Sequence, residues 1–426
     1  MGELEKKDKH RLWRGRQGSD GRLAPFGAVY VALLGLGTVG ALVVYLLLIT
    51  FVPGASGSRL DAMKTALLVV AGSGAGAGLY VQYRKQQTDE AKSSLDHANS
   101  RRDQDKLFTE RYTTAAAQLG NTNSAAIRLA GVYALARIAD DSERDRPTCL
   151  KVLCAYLRMP YDPDNPQTEP AERQVRTAAQ TAIAERLHPD HPGFWRDARV
   201  DLTDAYLIDL DFRGITVGEF KADRARISGD AQFGEATFSE GARFVGATFN
   251  GGARFDEATF DKCAGFREAT FGGIAEFGRA TFGGNAEFGK AEFNGNVKFD
   301  PATFNAGARF DWATFNGNAE FDGVTFPGGA SFGKATFNGY THFSAATFVG
   351  PALFLGATFG GYTQFDGATF PGGADFGAAK FRRGHAPVWP AGWAEPAGIV
   401  WVDPPAAGSG PDPGPPTGAA DPPTGP

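Results

Sequence analysis

The sequence is poor in the groups that usually carry surface chemistry. Three cysteines in 426 residues, Cys149, Cys154 and Cys263, form no even disulfide framework and fit a reducing compartment. Cys149 and Cys154 stand five apart in a helical pattern rather than as Cys-x-x-Cys with further ligands, so they read as buried or idle thiols. Six histidines include one close pair, His188-Pro-Asp-His191, with no neighbouring Cys, His or acidic cluster to complete a metal site. That pair reads as a solvated connector. Charge of one sign is also scarce: a net charge of −5 points to no strong polyanion partner. There is no nucleophile–base pair and no phosphate loop in the right context. The expectation is a protein that is not an enzyme, with no catalytic residue, no cofactor and no metal.

Two glycine patterns imitate nucleotide motifs and fail on context. Gly35-Leu-Gly37-Thr-Val-Gly40 has the G-x-G-x-x-G spacing but lies inside an apolar run, not at a strand-to-helix turn. Gly284 to Lys290 and Gly328 to Lys334 have the spacing G-x-x-x-x-G-K. Ala291 and Ala335 then stand where Ser or Thr is needed, inside a repeat.

Phenylalanine and glycine are in excess, 34 and 56 residues. From Phe233 to Phe381 phenylalanine recurs with gaps of five and six residues in strict alternation, which defines an 11-residue unit such as Ala247 to Glu257. Before it, Leu202, Leu207, Phe212, Val217, Ala222 and Ile227 recur every five residues.

The chain before the repeat has a different character. Residues 1–25 are a basic tail. Phe26 to Val52 then runs without a charge, long enough to cross a bilayer core of about 20 residues and too long for a cleavable signal peptide. Thr65 to Tyr83 is a second uncharged stretch, made weaker by Ala71-Gly-Ser-Gly-Ala-Gly-Ala-Gly78. Small residues four apart there, Gly72 with Gly76 and Gly74 with Gly78, suit close packing against the first span. Residues 26–83 therefore read as a transmembrane helical hairpin, with spans 26–52 and 65–83. Arg14, Arg16, Arg22, Arg84, Lys85 and Lys92 flank its outer sides, against Arg59 and Lys64 in the link, which places both termini in the cytoplasm.

Residues 84–187 read as a small antiparallel helical cytoplasmic domain. Arg84 to Leu119 continues the second span as a charged helix. Ile127, Ala130, Tyr133, Ala134 and Ile138 form one stripe at helical spacing. Pro147 opens the next helix, with Leu150, Leu153, Cys154 and Leu157 as its apolar face, and Pro160 stops it. Pro170 to Leu187 makes one more helix, and 188–200 is a connector.

Phe108-Thr-Glu-Arg-Tyr112, Arg128-Leu-Ala-Gly-Val-Tyr-Ala-Leu-Ala-Arg-Ile-Ala139 and Asp201-Leu-Thr-Asp-Ala-Tyr-Leu207 resemble the membrane-anchored pentapeptide-repeat proteins of high-GC bacteria. The resemblance covers the chain from the spans through the repeats. It implies that 201–383 is a right-handed, four-sided parallel β-helix in which the central residue of each repeat and the one two before it face inward. It carries over no catalytic residue. The whole chain is then of mixed class: hairpin, all-α domain, β-helix.

Within that frame Phe233, Phe244, Phe255, Phe277, Phe299, Phe321, Phe343 and Phe365 belong to an inward ladder, each preceded two residues earlier by Ala or, rarely, Val or Thr. Sides of five, six, five and six give a 22-residue coil. That period stacks Arg254, Glu276, Lys298 and Glu320 in an outward column of alternating sign, and Thr259, Thr281, Thr303 and Thr325 in an outward threonine column. The longer corner is rich in glycine, read here as freedom for φ > 0. At about 4.8 Å per level, about 8.5 coils make roughly 40 Å. Residues 384–402, with Trp389, Trp393 and Trp401, read as a cap on the last coil, and 403–426 as a disordered tail.

The leading functional expectation is a non-enzymatic scaffold, integral to the cell membrane, that presents its solenoid in the cytoplasm to an unknown protein partner. Small-residue spans also suit homo-oligomers. A DNA mimic that binds topoisomerases is the first alternative. However, 22 acidic against 16 basic residues over 201–383, with signs interleaved, fall far short of one charge per about 1.7 Å, and no nucleic acid is expected. Ice-like surface binding by the threonine column is the second alternative.

Overall fold

A computed structural model describes residues 26–51, 58–162 and 170–403. The basic tail 1–25 and the terminal tail from 404 onward lie outside the described residues. The chain divides into two compact units, one up to Lys106 and one from Leu107.

The first unit holds helix α1, Phe26–Phe51, and most of α2, Ser58–Leu119. One unbroken helix therefore runs through the change from apolar to charged sequence at Arg84. Large apolar side chains stand exposed along both helices, among them Leu36, Val39, Leu42, Leu46 and Phe51 on α1 and Leu67, Leu68 and Leu79 on α2. A Cβ added at Gly35, Gly40, Gly72 or Gly78 would meet nothing within 4 Å. Counted over the described residues, no helix is long and apolar enough to cross a membrane. Helix α1 is 26 residues long and carries no charge.

The second unit opens with the last turns of α2, then α3 (Ala125–Asp141), α4 (Arg146–Leu157) and α5 (Pro170–Leu187). The buried face of α3 is Arg128, Gly131, Val132, Leu135, Ala136 and Ala139, while Ile127 and Tyr133 are exposed. Of the stripe read from the sequence, Ile138 is buried and Ala134 packs against the core, whereas Ile127, Ala130 and Tyr133 face outward. Gly131 sets the face: a Cβ there would lie 2.4 Å from the backbone nitrogen of Leu119, so only this side can seat against α2. On α4, Pro147 sits in the first turn, where no N–H is required, and Leu150, Leu153, Cys154 and Leu157 are buried.

These helices are not a separate domain. They share one core with the solenoid, through Val175, Ala179 and Ile183 of α5 and the fully buried Trp195. The stretch 188–200 is correspondingly packed rather than a free linker. Trp195 donates its indole N–H to Asp140 at 3.1 Å, and Asp140 also takes a bidentate contact from Arg186. The first coil would expose strand edges. Gln180 of α5 covers one of them: its Nε2 donates to the Ile208 carbonyl at 2.8 Å and its Oε1 accepts the Ile208 N–H at 3.0 Å.

The solenoid is a stack of parallel strands. Val200, Phe220, Ala242, Ala264, Ala286, Ala308, Ala330, Ala352 and Ala374 occupy successive levels of one column. Three further columns run through Thr248, Ala253 and Thr259, so each coil has four sides. The first coils follow the 20-residue period of plain pentapeptides: in the strand Tyr206–Asp211, Leu207 pairs with Ile227. Register shifts between Ile208 and Leu210, and between Val217 and Glu219 of the strand Thr216–Lys221, then bring the period to 22. Gly229 makes one shift possible. Its φ is +73°, and a Cβ there would collide with the Asp209 carboxylate.

Positive φ recurs at the shorter corner, borne by Glu257, Glu268, Arg279, Lys290, Trp312 and Lys334, and at the longer corner in Gly241, Gly329 and Gly373. The other glycines of the longer corner have a different purpose. Gly251, Gly273, Gly295, Gly317, Gly339 and Gly361 stack there with backbone so close that a Cβ on Gly295 would come within 2.4 Å of the Gly273 oxygen. Glycine at this corner thus serves contact between coils, and at Gly241, Gly329 and Gly373 also positive φ.

Candidate interaction surfaces

The ladder faces inward, and only Phe370 near its end is half-buried. Phe233, Phe244, Phe255, Phe277, Phe299, Phe321, Phe343 and Phe365 are all 0 % exposed. Except for Phe244 they form one file of parallel rings, with centroids from 4.8 Å (Phe233–Phe255) to 5.2 Å (Phe343–Phe365). Phe244 heads an adjacent file through Phe266 and meets the first edge-on, 5.4 Å from Phe233 at 79°. Parallel contacts within files and edge contacts between them are both favourable aromatic geometries. Trp389 closes the first file on Phe365 at 5.3 Å and 6°, Trp393 lies over Phe370 and Trp401 over Phe381. The strand Val400–Val402 pairs with Lys380–Arg382, so the end of the repeat is covered by a final coil with tryptophan in the phenylalanine places.

The outward columns keep the 22-residue register. Arg254, Glu276, Lys298 and Glu320 are successive strand partners, and Arg254 donates to Glu276 at 3.0 Å. Burial raises the Glu320 pKa, with Lys298 opposing and Asp300 and Asp322 adding to the rise. Thr259, Thr281, Thr303 and Thr325 are likewise in unbroken register, Thr303 exposed and the others half-buried. Sequence reading missed an asparagine column. Asn316 Nδ2 donates to Asn294 Oδ1 and Asn338 Nδ2 to Asn316 Oδ1, each at 2.8 Å. The 22-residue period would have shown it. Further ion pairs cross between coils, including Lys290–Glu268 at 3.2 Å and Arg309–Glu287 at 3.5 Å.

The thiols do not form a site. Burial pushes Cys149 up to about 11 and Cys154 up to about 12, which keeps both protonated. His188 Nδ1 and His191 Nδ1 instead accept backbone N–H groups of Asp190 and Gly193. Among the described residues no group of three or more His, Cys, Asp or Glu is placed to hold a metal ion.

One concavity was not foreseen. A cleft of about 910 Å³ opens where α3, α4 and α5 meet the first two coils. Glu172 anchors its floor. The Glu172 carboxylate lies 3.1 Å from Arg128 Nε and 3.3 Å from Arg176 Nε, and accepts the Tyr156 hydroxyl at 2.7 Å. Arg176 also donates to the carbonyls of Leu157 and Met159 and lies over the Tyr161 ring at 4.6 Å. Burial lowers the Arg176 pKa, and Glu172 opposes the shift. The residues come from three helices and a strand corner, so no local motif announces them.

A family model described as pentapeptide repeats (9 copies) matches residues 210–259, 255–303, 289–336, 302–347 and 332–380. No curated protein and no solved structure matches the chain. The matched residues are the ones that coil in parallel register, so this part of the chain is a run of pentapeptide repeats wound into a parallel β-solenoid.

Proposed function

We propose that the protein is a membrane-anchored, non-enzymatic scaffold that offers its solenoid to a protein partner in the cytoplasm. The observation that carries the anchoring is the apolar surface of α1: 26 helical residues without a charge, with Leu36, Val39, Leu42, Leu46 and Phe51 all exposed. Exposed apolar surface on that scale calls for another medium or partner to cover it. At 1.5 Å per residue the helix would span about 39 Å, more than a hydrocarbon core of about 30 Å. The second crossing is residues 65–83 of α2, with Leu67, Leu68 and Leu79 exposed. The cytoplasmic side follows from the Lys and Arg that flank the outer ends of the two stretches.

The scaffold reading rests on a ladder that faces inward and outward columns held in fixed register. A rigid, periodic surface can be read by another protein without chemistry of its own. A DNA-like surface fits less well, because cross-coil pairs such as Arg254–Glu276 and Lys290–Glu268 interleave the two signs. Proximity labelling in cells with a ligase fused to the full chain tests this reading. A partner set that disappears when residues 201–402 are deleted is expected, and labelling that the deletion leaves unchanged would sink it.

A further inference from the structure

One side of the solenoid changes character abruptly between neighbouring coils. Val349, Pro351, Leu353 and Leu355 point outward there, with Val349 48 %, Leu353 40 % and Leu355 53 % exposed. One coil earlier the same places hold Pro327, Gly329, Ser331 and Gly333. A ridge of large apolar side chains therefore lies about 4.8 Å from a row of mostly small ones. Asp311 leans over that row, but its carboxylate is already taken by the Ser331 hydroxyl and the Gly333 N–H. Charges flank the ridge in a matched way. Arg309, Ser331, Leu353 and Asp375 are successive strand partners in one outward column. Seen from midway between Ser331 and Leu353, the cation and the anion are equally far, one and a half coils to either side. Both are exposed, and Arg309 also reaches Glu287 on its other side at 3.5 Å.

We propose that this face binds a second copy of the chain, antiparallel, about a two-fold axis that runs along the strand direction between the Ser331 and Leu353 coils. Such an axis reverses the order of the coils and keeps each position along the side, so the same patch serves both copies. Leu353 then meets Ser331 of the second copy, Leu355 meets Gly333, and Arg309 meets Asp375 at both ends. Sheets packed face to face lie about 10 Å apart, so a large side chain on one is best met by a small one on the other. An axis through Leu353 itself would set leucine on leucine and separate Arg309 from Asp375, which loses both matches. Complementary charge fixes register and excludes wrong partners, and here the face complements itself. One side of a solenoid is a narrow strip, below the standard interface of about 1,600 Å², so association at micromolar rather than nanomolar concentration is expected.

The test is energy transfer between full chains in detergent micelles, labelled with donor or acceptor on Cys263, which is exposed while Cys149 and Cys154 are buried. In the proposed dimer the two labels lie seven coils apart, roughly 34 Å at about 4.8 Å per coil. Arg309→Asp and Asp375→Arg each set like charges face to face and should weaken association at least about tenfold. A mixture of the two variants should recover it, because every mixed pair regains its opposite charges. Leu353→Asp should abolish transfer, and Ile274→Asp, a change at a side chain 48 % exposed outside this face, should leave it unchanged. All four side chains are exposed, so the thermal midpoint should stay in place. Association through the apolar helices would be blind to these changes. Transfer that the single reversals leave unchanged, or that mixing them does not recover, would overturn the proposal. So would a wild type that stays monomeric at high micromolar concentration, or one that stays monomeric while a different protein binds the face and is lost in Leu353→Asp.

Discussion

A phenylalanine in mid-ladder has rings above and below. Phe299 lies 4.9 Å from Phe277 and 5.0 Å from Phe321, fully buried. Phe299→Ala would open a cavity in a stack whose backbone is fixed by its neighbours, so it should cost about 3–5 kcal/mol, read from urea unfolding. An unchanged midpoint would contradict the packing. Glycines make a sharper comparison, because they serve two different purposes. Gly295→Ala sets a methyl against the Gly273 backbone of the neighbouring coil, whereas Gly323 has φ +65° and open space around its would-be Cβ. Gly323→Ala should cost only the left-handed penalty of about 1–2 kcal/mol, since Glu257 and Lys290 occupy the equivalent position without trouble. Gly295→Ala should cost clearly more, and equal losses would show the close stacking to be wrong. The ladder period was legible because inward phenylalanine repeats without a miss, with alanine two residues before it except for Val297, Val324, Thr341 and Thr363. The role of the glycines was not, because composition shows which residue stands at a corner but not its φ or its distance from the next coil.

At the scale of elements, the transitions decide how the repeat begins and ends. The step from a 20-residue to a 22-residue coil could be seen in the spacing, but its placement depends on the contact of Gly229 with Asp209. The helical segment was legible as helices and not as part of the solenoid core. Its decisive contacts, Gly131 on Leu119, Gln180 on Ile208 and Trp195 on Asp140, join residues far apart in sequence with no periodic signal. Gln180 acts as a substitute strand, satisfying both backbone groups of Ile208. Gln180→Leu keeps the apolar bulk but leaves a buried N–H and C=O unpaired, at about 1–3 kcal/mol each if nothing replaces them. Faster hydrogen exchange confined to Tyr206–Asp211 and its neighbouring coil is the expected signature, and unchanged protection there would argue against a capping role. The tryptophan cap was easier to anticipate, because three tryptophans after the last phenylalanine can cover an exposed stack edge. The structure adds that Trp389 continues the file of Phe365.

Taken whole, the chain joins an apolar helical region to a solenoid whose outer surface is polar and regular. The cleft between the helices and the first coils was hidden from the sequence, since Arg128, Glu172 and Arg224 belong to three separate stretches. The central claim is that this surface is displayed at a membrane by α1 and the apolar part of α2. Alkaline carbonate extraction of membranes from cells expressing the full chain tests it most directly, with a chain lacking residues 26–83 run alongside. The account predicts that the full chain stays in the membrane pellet while the shortened chain is released. Release of the full chain into the supernatant would contradict it.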